Sequence, residues 1–167
     1  ALDTGLADNN ITAIFVASDG TVWAGTDFGL SYYNGSSWAT YTTADGLGDD
    51  RVNSVTEDNT GAIWIGHSDG ATKYDGSWTS WGTAEGLPFG GVNHIEIVST
   101  TEIYMCGGLG GVQIFDGVST FTAFTEVDGL MNDKVRSMAI DDAGQKWVGT
   151  ADGMTVMSAA NAFVENH

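Results

Sequence analysis

Short apolar segments of four to six residues follow one another along the whole chain, each closed by a polar or glycine-bearing turn. They fall into four series: "ITAIFV", "VNSVTE", "VNHIEI", "VRSMAI"; then "TVWAG", "AIWIG", "EIYMC", "QKWVG"; then "LSYY", "ATKY", "VQIF", "MTVM"; and last "SWATY", "SWTSW", "TFTAF" and, less clearly, "NAFVE". The segments are rich in Val, Ile, Thr, Trp, Tyr and Phe, the composition of pleated, half-buried strands. Helical periodicity appears nowhere over a useful length. The turns "SDG", "NTG" and "DAG" suit tight hairpins, because Asp or Asn bonds the local backbone and glycine supplies a positive φ.

The series recur at a fixed period. The dipeptide Gly-Leu stands at Gly5-Leu6, Gly46-Leu47, Gly86-Leu87 and Gly129-Leu130, at spacings of 41, 40 and 43 residues. Four strands per repeat at this period predict an all-β fold, a β-propeller of four four-stranded antiparallel blades. The whole chain is then one domain, with blades at about 5–45, 46–85, 86–128 and 129–167. A lone blade is apolar on both faces and must stack on neighbours, so repetition builds the core.

The pattern Gly-Leu-x4-Val-x2-Ile, an Asp-x-x-Gly turn, then Trp-x-Gly-Thr-x-x-Gly-Leu resembles the two-component regulator propeller repeat. It stands here as "GLADNNITAIFVASDGTVWAGTDFGL", "GLGDDRVNSVTEDNTGAIWIGHSDGA" and "GLMNDKVRSMAIDDAGQKWVGTADGM". The third copy, "GLPFGGVNHIEIVSTTEIYMCGGLGGV", departs: it lacks the turn, puts Tyr104 in place of Trp and has one extra residue near Gly108. The resemblance implies large rings in the extracytoplasmic sensing part of histidine kinases, hence a periplasmic or extracellular location. It implies no catalytic motif. This chain has four blades, no transmembrane helix and no kinase segment.

Composition narrows the partners. Twenty-two acidic residues against five basic give a net charge of −17. Such a surface repels phosphate backbones and anionic lipid, so neither nucleic-acid binding nor membrane insertion is expected. The lone Cys106 excludes an internal disulfide and any multi-cysteine metal site, and it reads as a small buried hydrophobe. The chain opens on Ala1, as a cleaved export signal or a trimmed chain would leave it. The first repeat starts on its innermost strand and the fourth ends near its outermost. No spare strand remains to complete a shared closing blade. Four blades closing alone, two chains forming an eight-bladed ring, and a portion of a longer propeller all fit. The two-chain ring is the favoured expectation.

Candidate chemistry lies where the copies stop agreeing. The outer-to-inner connections and the second hairpin turns share one end of the ring, and loops on a rigid scaffold carry binding residues. His67, with Asp69 in the same turn, stands where Thr26 and Thr150 stand in other blades. His94 stands where Ala13, Ser54 and Ser137 stand. An imidazole pair on adjacent blades could bind a ligand, a metal or a proton, or could be drift at tolerant positions. Thr12, Asn53, Asn93 and Arg136 begin the inner strands and could line the axial opening. Arg136 could hold a sugar acid or pair with Asp133. Phe89 in "PFGG" offers an apolar platform for a sugar ring. Asp19, Asp58, Asp141 and Asp142 read as turn caps; calcium or another divalent metal is the alternative, although no "DxDxDG" loop exists. Trp23, Trp64 and Trp147 are expected between blades, and Trp38, Trp78 and Trp81 partly exposed.

No nucleophile, paired acid–base carboxylates or phosphate loop stands out, so no cofactor is expected. The sequence therefore predicts a non-enzymatic sensor-type propeller that binds a small-molecule or glycan ligand, a carbohydrate product on the family resemblance, on its loop face. The alternatives are a histidine- and metal-dependent lyase or lactonase, and an assembly module that oligomerises or docks on a larger protein through its blades.

Overall fold

The structure, a computed structural model, describes residues 5–167. Sixteen strands form four four-stranded antiparallel sheets, each a meander in chain order. The first blade holds β1 (Ile11–Val16), β2 (Val22–Thr26), β3 (Gly29–Tyr33) and β4 (Trp38–Tyr41). The second holds β5 (Val52–Glu57), β6 (Ile63–His67), β7 (Gly70–Tyr74) and β8 (Trp78–Trp81). The third holds β9 (Val92–Ser99), β10 (Glu102–Gly107), β11 (Val112–Phe115) and β12 (Phe121–Phe124). The fourth holds β13 (Val135–Ile140), β14 (Lys146–Thr150), β15 (Met154–Met157) and β16 (Phe163–Asn166).

The repeated Gly-Leu now has a physical reading. Gly46 has a φ of 116°, and a Cβ there would approach Trp78 to within 2.6 Å. Gly5 and Gly129 meet Trp38 and Phe163 in the same way. Only glycine lets the backbone turn against the aromatic that opens the outer strand. The leucine that follows is driven between blades: Leu47, Leu87 and Leu130 are buried. The acid just before Gly-Leu also has a task. Asp45, Glu85 and Asp128 accept the backbone N–H three residues earlier, from Thr42, Gly82 and Thr125. In the second and third connections this closes a single 3-10 turn, Thr83–Glu85 and Glu126–Asp128.

The core consists of three layers, one between each pair of consecutive blades. Between the first and second lie Trp23, Leu30, Leu47, Val52, Val55 and Ile65. Between the second and third, Trp64 stacks on Trp81 at 5.3 Å and Phe115 meets both edge-on. Trp81 is thus buried rather than partly exposed, because Phe115 covers it. Between the third and fourth lie Tyr104, Cys106, Val135, Met138 and Val148. Each large apolar side chain so buried contributes roughly 1.5–3 kcal/mol.

The arc does not close. Inner strand packs on inner strand from β1 to β5 to β9 to β13, and no packing of that extent joins the fourth blade to the first. Among the described residues the four blades thus form an open arc.

Candidate functional site

Backbone bonds bring the outer-to-inner connections and the second hairpin turns to one end of the arc. Ser68 N–H donates to Arg51 O, Gly91 N–H to Ser68 O, Gly111 N–H to Asp133 O, and Ala151 N–H to Lys134 O. Arg51 also reaches Asp27 at 3.3 Å across the first two blades. This end is the loop face expected from the sequence.

The polar residues that begin the inner strands do something more specific than line an axis. Thr12 Oγ1 donates to Val52 O at 2.6 Å, Asn53 Nδ2 to Val92 O at 3.0 Å, and Asn93 Nδ2 to Val135 O at 3.5 Å. Each joins its blade to the first residue of the next inner strand. All sit at or beside a register shift, which turns the side chain out of the ladder. Arg136 holds the same position in the fourth blade, the last one described. It is exposed and has no carboxylate within ion-pair distance among the described residues. Asp133 instead accepts Glu126 N–H.

His67 and His94 are not brought together. His67 is buried and faces the layer between the first and second blades, in van der Waals contact with Gly48. Its Nδ1 accepts Asp69 N–H at 3.3 Å, so Nε2 carries the proton and donates to Thr72 Oγ1 at 2.9 Å. Thr26 and Thr150 make the equivalent turn bonds in their blades, so the imidazole replaces a threonine in a structural bond. Gly48 makes room for it: a Cβ there would lie 2.6 Å from Nε2. Burial pushes the His67 pKa down, against Asp49 and Asp69, which pull it up. Asp69 is exposed at the turn.

His94 lies on the opposite side of the third blade, paired across strands with Cys106. Its Nε2 is 3.5 Å from Glu96 Oε2 without hydrogen-bond geometry and has no other partner. Burial pushes the Cys106 thiol up to about 12, and the Glu96 carboxylate pushes in the same direction. A thiol held protonated in this way is not a nucleophile. No group of three or more His, Cys, Asp or Glu side chains suited to a metal occurs among the described residues.

Phe89 is also inside, which corrects the reading of an exposed platform. Gly107 and Gly110 leave the space its ring fills: a Cβ at either would lie within 2 Å of a ring carbon. A cavity of about 270 Å³ on the loop face is bounded by Phe89, Gly90, Gly91, Asn93, Gly108 and Leu109. The Leu109 side chain stands 84% exposed at the rim. Every lining residue belongs to the third repeat, and the cavity sits where that copy departs from the others. Leu109 and the glycines were not singled out in the sequence, although the extra residue near Gly108 marked the place.

At the other end of the arc Asp19, Asp58 and Asp141 cap turns as expected, Asp58 and Asp141 also anchor tryptophans, and Asp142 accepts no hydrogen bond among the described residues. Asp58 accepts Thr60 N–H, Ala62 N–H and Trp64 Nε1–H. Asp141 accepts Ala143 N–H, Gln145 N–H and Trp147 Nε1–H. Burial works to raise the Asp58 pKa, but the bonds from Thr60, Trp64 and Ala62 outweigh it and hold the carboxyl low. In the first blade Ala17 stands at this position, and Trp23 Nε1 is left buried without a partner.

No curated protein matches the sequence. The family description "Two component regulator propeller" matches residues 5–28 and 46–69. The chain is similar to the extracellular domain of a putative hybrid two component system from B. thetaiotaomicron, with a TM-score of 0.84 and 19% identity, over 99% of this chain and 25% of that one. It is similar to the extracellular domain of a second putative hybrid two component system from that organism, with a TM-score of 0.78 and 18% identity, over 97% of this chain and 26% of that one. It is also similar to virginiamycin B lyase from Staphylococcus aureus, with a TM-score of 0.77 and 13% identity, over 98% of this chain and 57% of that one. The chain thus spans about a quarter of the two extracellular domains and just over half of the lyase. At these identities the likeness is one of fold. Blades one and two carry the two component regulator propeller repeat, and all four blades share their fold with two-component extracellular domains.

Proposed function

We propose that this chain is the ligand-recognising part of an extracytoplasmic sensor, and that it takes a small polar ligand, a carbohydrate product, into the loop-face cavity of the third blade. The observation that carries the reading is the cavity itself, which is built by the one repeat that breaks the pattern. Its chemistry suits a sugar: apolar surface from Phe89 and Leu109, the Asn93 amide, and bare glycine backbone that lets a ring approach closely. The acidic surface favours a neutral ligand over an anionic one. The two-component relatives support the sensing role and the location. A histidine- and metal-dependent lyase draws no support from His67 and His94, which face different interblade layers.

The test is Gly108→Phe. Gly108 has no positive φ, and a Cβ there meets nothing within 4 Å, so the ring enters the cavity without backbone strain. A panel of neutral oligosaccharides is screened by thermal shift. A ligand at about 100 times its Kd stabilises the wild type by about 2.7 kcal/mol. Gly108→Phe should keep the wild-type melting temperature without ligand and lose that stabilisation. Equal stabilisation of both proteins would place the ligand elsewhere.

A further inference from the structure

The large aromatic ring on the second strand of each blade carries one polar atom, and in three of the four blades that atom has a partner. Trp64 Nε1–H donates to Asp58 and Trp147 Nε1–H to Asp141, both at 2.9 Å. The Tyr104 hydroxyl, at the same position of the third blade, bonds Glu102 and Asn161. Trp23 is the exception. Its side chain is 6% exposed, and its Nε1–H meets no acceptor among the described residues. A donor left buried and unpaired is costly.

The cause is a single residue. Ala17 stands six positions before Trp23, where Asp58 and Asp141 stand before their tryptophans, so the space of a carboxylate is left open in front of the indole N–H. Ala17 and Trp23 border a cavity of about 170 Å³ between the first and second blades, with Ile63, Tyr74 and the carboxylates of Asp19, Glu57 and Asp75 around it. It lies at the end of the arc opposite the loop face and shares no residue with the cavity of the third blade.

The walls select charge as well as shape. Glu57 accepts Ser18 N–H at 2.7 Å and Ser18 Oγ–H at 2.8 Å, which ties the two blades together beside the cavity. Bonds from Thr21 hold the Asp19 carboxyl below its usual range, and those from Ser77 and Lys73 do the same for Asp75, so both are ionised at neutral pH. Lys73 pairs with Asp75 at 3.3 Å; among the described residues no basic side chain lies within ion-pair distance of Asp19 or Glu57. The other two layers show what such a place accepts. Lys73 Nζ stands 6.0 Å from the centre of the Trp64 ring, and Lys146 Nζ stands 5.4 Å from that of Tyr104 and 3.6 Å from Glu102. Ile63 holds the position of Lys146 in the first layer, and there the ammonium is missing. A cation over an aromatic face beside a carboxylate is favourable.

We propose that this cavity binds a small organic ammonium ion that also carries a hydroxyl, with its nitrogen among the carboxylates and against the Trp23 and Tyr74 rings, and its oxygen accepting the Trp23 N–H. At about 30 Å³ for each water-sized group, the cavity takes about five, the size of a simple amino alcohol. A phosphate or carboxylate in place of the hydroxyl, as on a lipid headgroup or an amino acid, would be repelled by Asp19, Glu57 and Asp75. A metal ion does not suit the site, since no group of three or more side chains fit to hold one occurs among the described residues.

The experiment is a titration of isotope-labelled protein with ethanolamine, ethylamine and ethylene glycol at neutral pH, read on the indole N–H resonances of the six tryptophans. The Trp23 resonance is identified by its loss in Trp23→Phe. Ethanolamine should move it downfield and leave the others in place. Ethylamine, which lacks the acceptor, and ethylene glycol, which lacks the charge, should each bind at least about fivefold more weakly. Ala17→Asp gives Trp23 the partner that Trp64 and Trp147 have. It should keep or raise the melting temperature and weaken ethanolamine binding by about tenfold or more, because its carboxylate takes the N–H and fills the space. Glu57→Gln can still accept from Ser18 and should weaken binding about fivefold through the lost charge. A Trp23 resonance that ethanolamine leaves unmoved, equal affinity for ethanolamine and either of the other two compounds, or unchanged binding in Ala17→Asp or Glu57→Gln would each overturn the proposal.

Discussion

At the scale of single residues, the positions where the repeats disagree separate into two kinds. His67 is paired with a compensating change, Gly48, inside its own repeat, and serves the fold. Phe89 is paired with Gly107 and Gly110, and it lines a cavity on the loop face. A histidine buried neutral makes stability depend on pH, with a definite sign. The folded His67 pKa lies below its ordinary 6.5, so the unfolded chain binds the proton more readily. Stability from this group is complete above pH 6.5 and is lost as pH falls through that value. The melting temperature should drop between pH 7.5 and 5.5 in the wild type, and by less in His67→Gln, which can still bond Thr72. Equal drops would show that the imidazole does not titrate against folding. The lowered carboxyls of Asp58 and Asp141 do not contribute in this window, since they act below about pH 4. The sequence showed that His67 and Phe89 were exceptional but not which way they faced. That depended on glycines elsewhere in the repeat, whose meaning is a missing Cβ.

At the scale of elements, the four strand series and their grouping into four-stranded sheets were legible, because alternation and period are direct consequences of pleating and stacking. The Thr42–Asp45, Gly82–Glu85 and Thr125–Asp128 caps were not read, since three-residue spacing before Gly-Leu looks like an ordinary acidic loop. The anchoring of Trp64 by Asp58 and of Trp147 by Asp141 was also missed: residues six apart join only once the hairpin is formed. Element context sets the cost of a substitution. Leu47 and Leu6 occupy the same repeat position, but only Leu47 has a blade on each side. Leu47→Ala should destabilise by about 2–5 kcal/mol. Leu6→Ala should cost less than about half as much, measured by urea unfolding at a concentration where the chain is monomeric. Equal losses would mean that the first blade's outer face is already covered.

At the scale of the molecule, the account rests on an arc of four blades held by three apolar layers, with both ends open. Closure was the question that the sequence framed and could not answer, because each blade reads the same whether its neighbour is in the same chain or not. Exposure at Ile11 and Ile14, against burial at their counterparts, shows that among the described residues the first blade has no blade packed on its outer face. The most direct measurement is amide hydrogen exchange of the dilute, monomeric chain, resolved strand by strand. Protection follows local stability, so β5 and β9, each packed between two blades, should exchange slowest and β1 and β16 fastest. Inner strands β1, β5, β9 and β13 protected alike would contradict the account, since only a ring closed within one chain would behave that way.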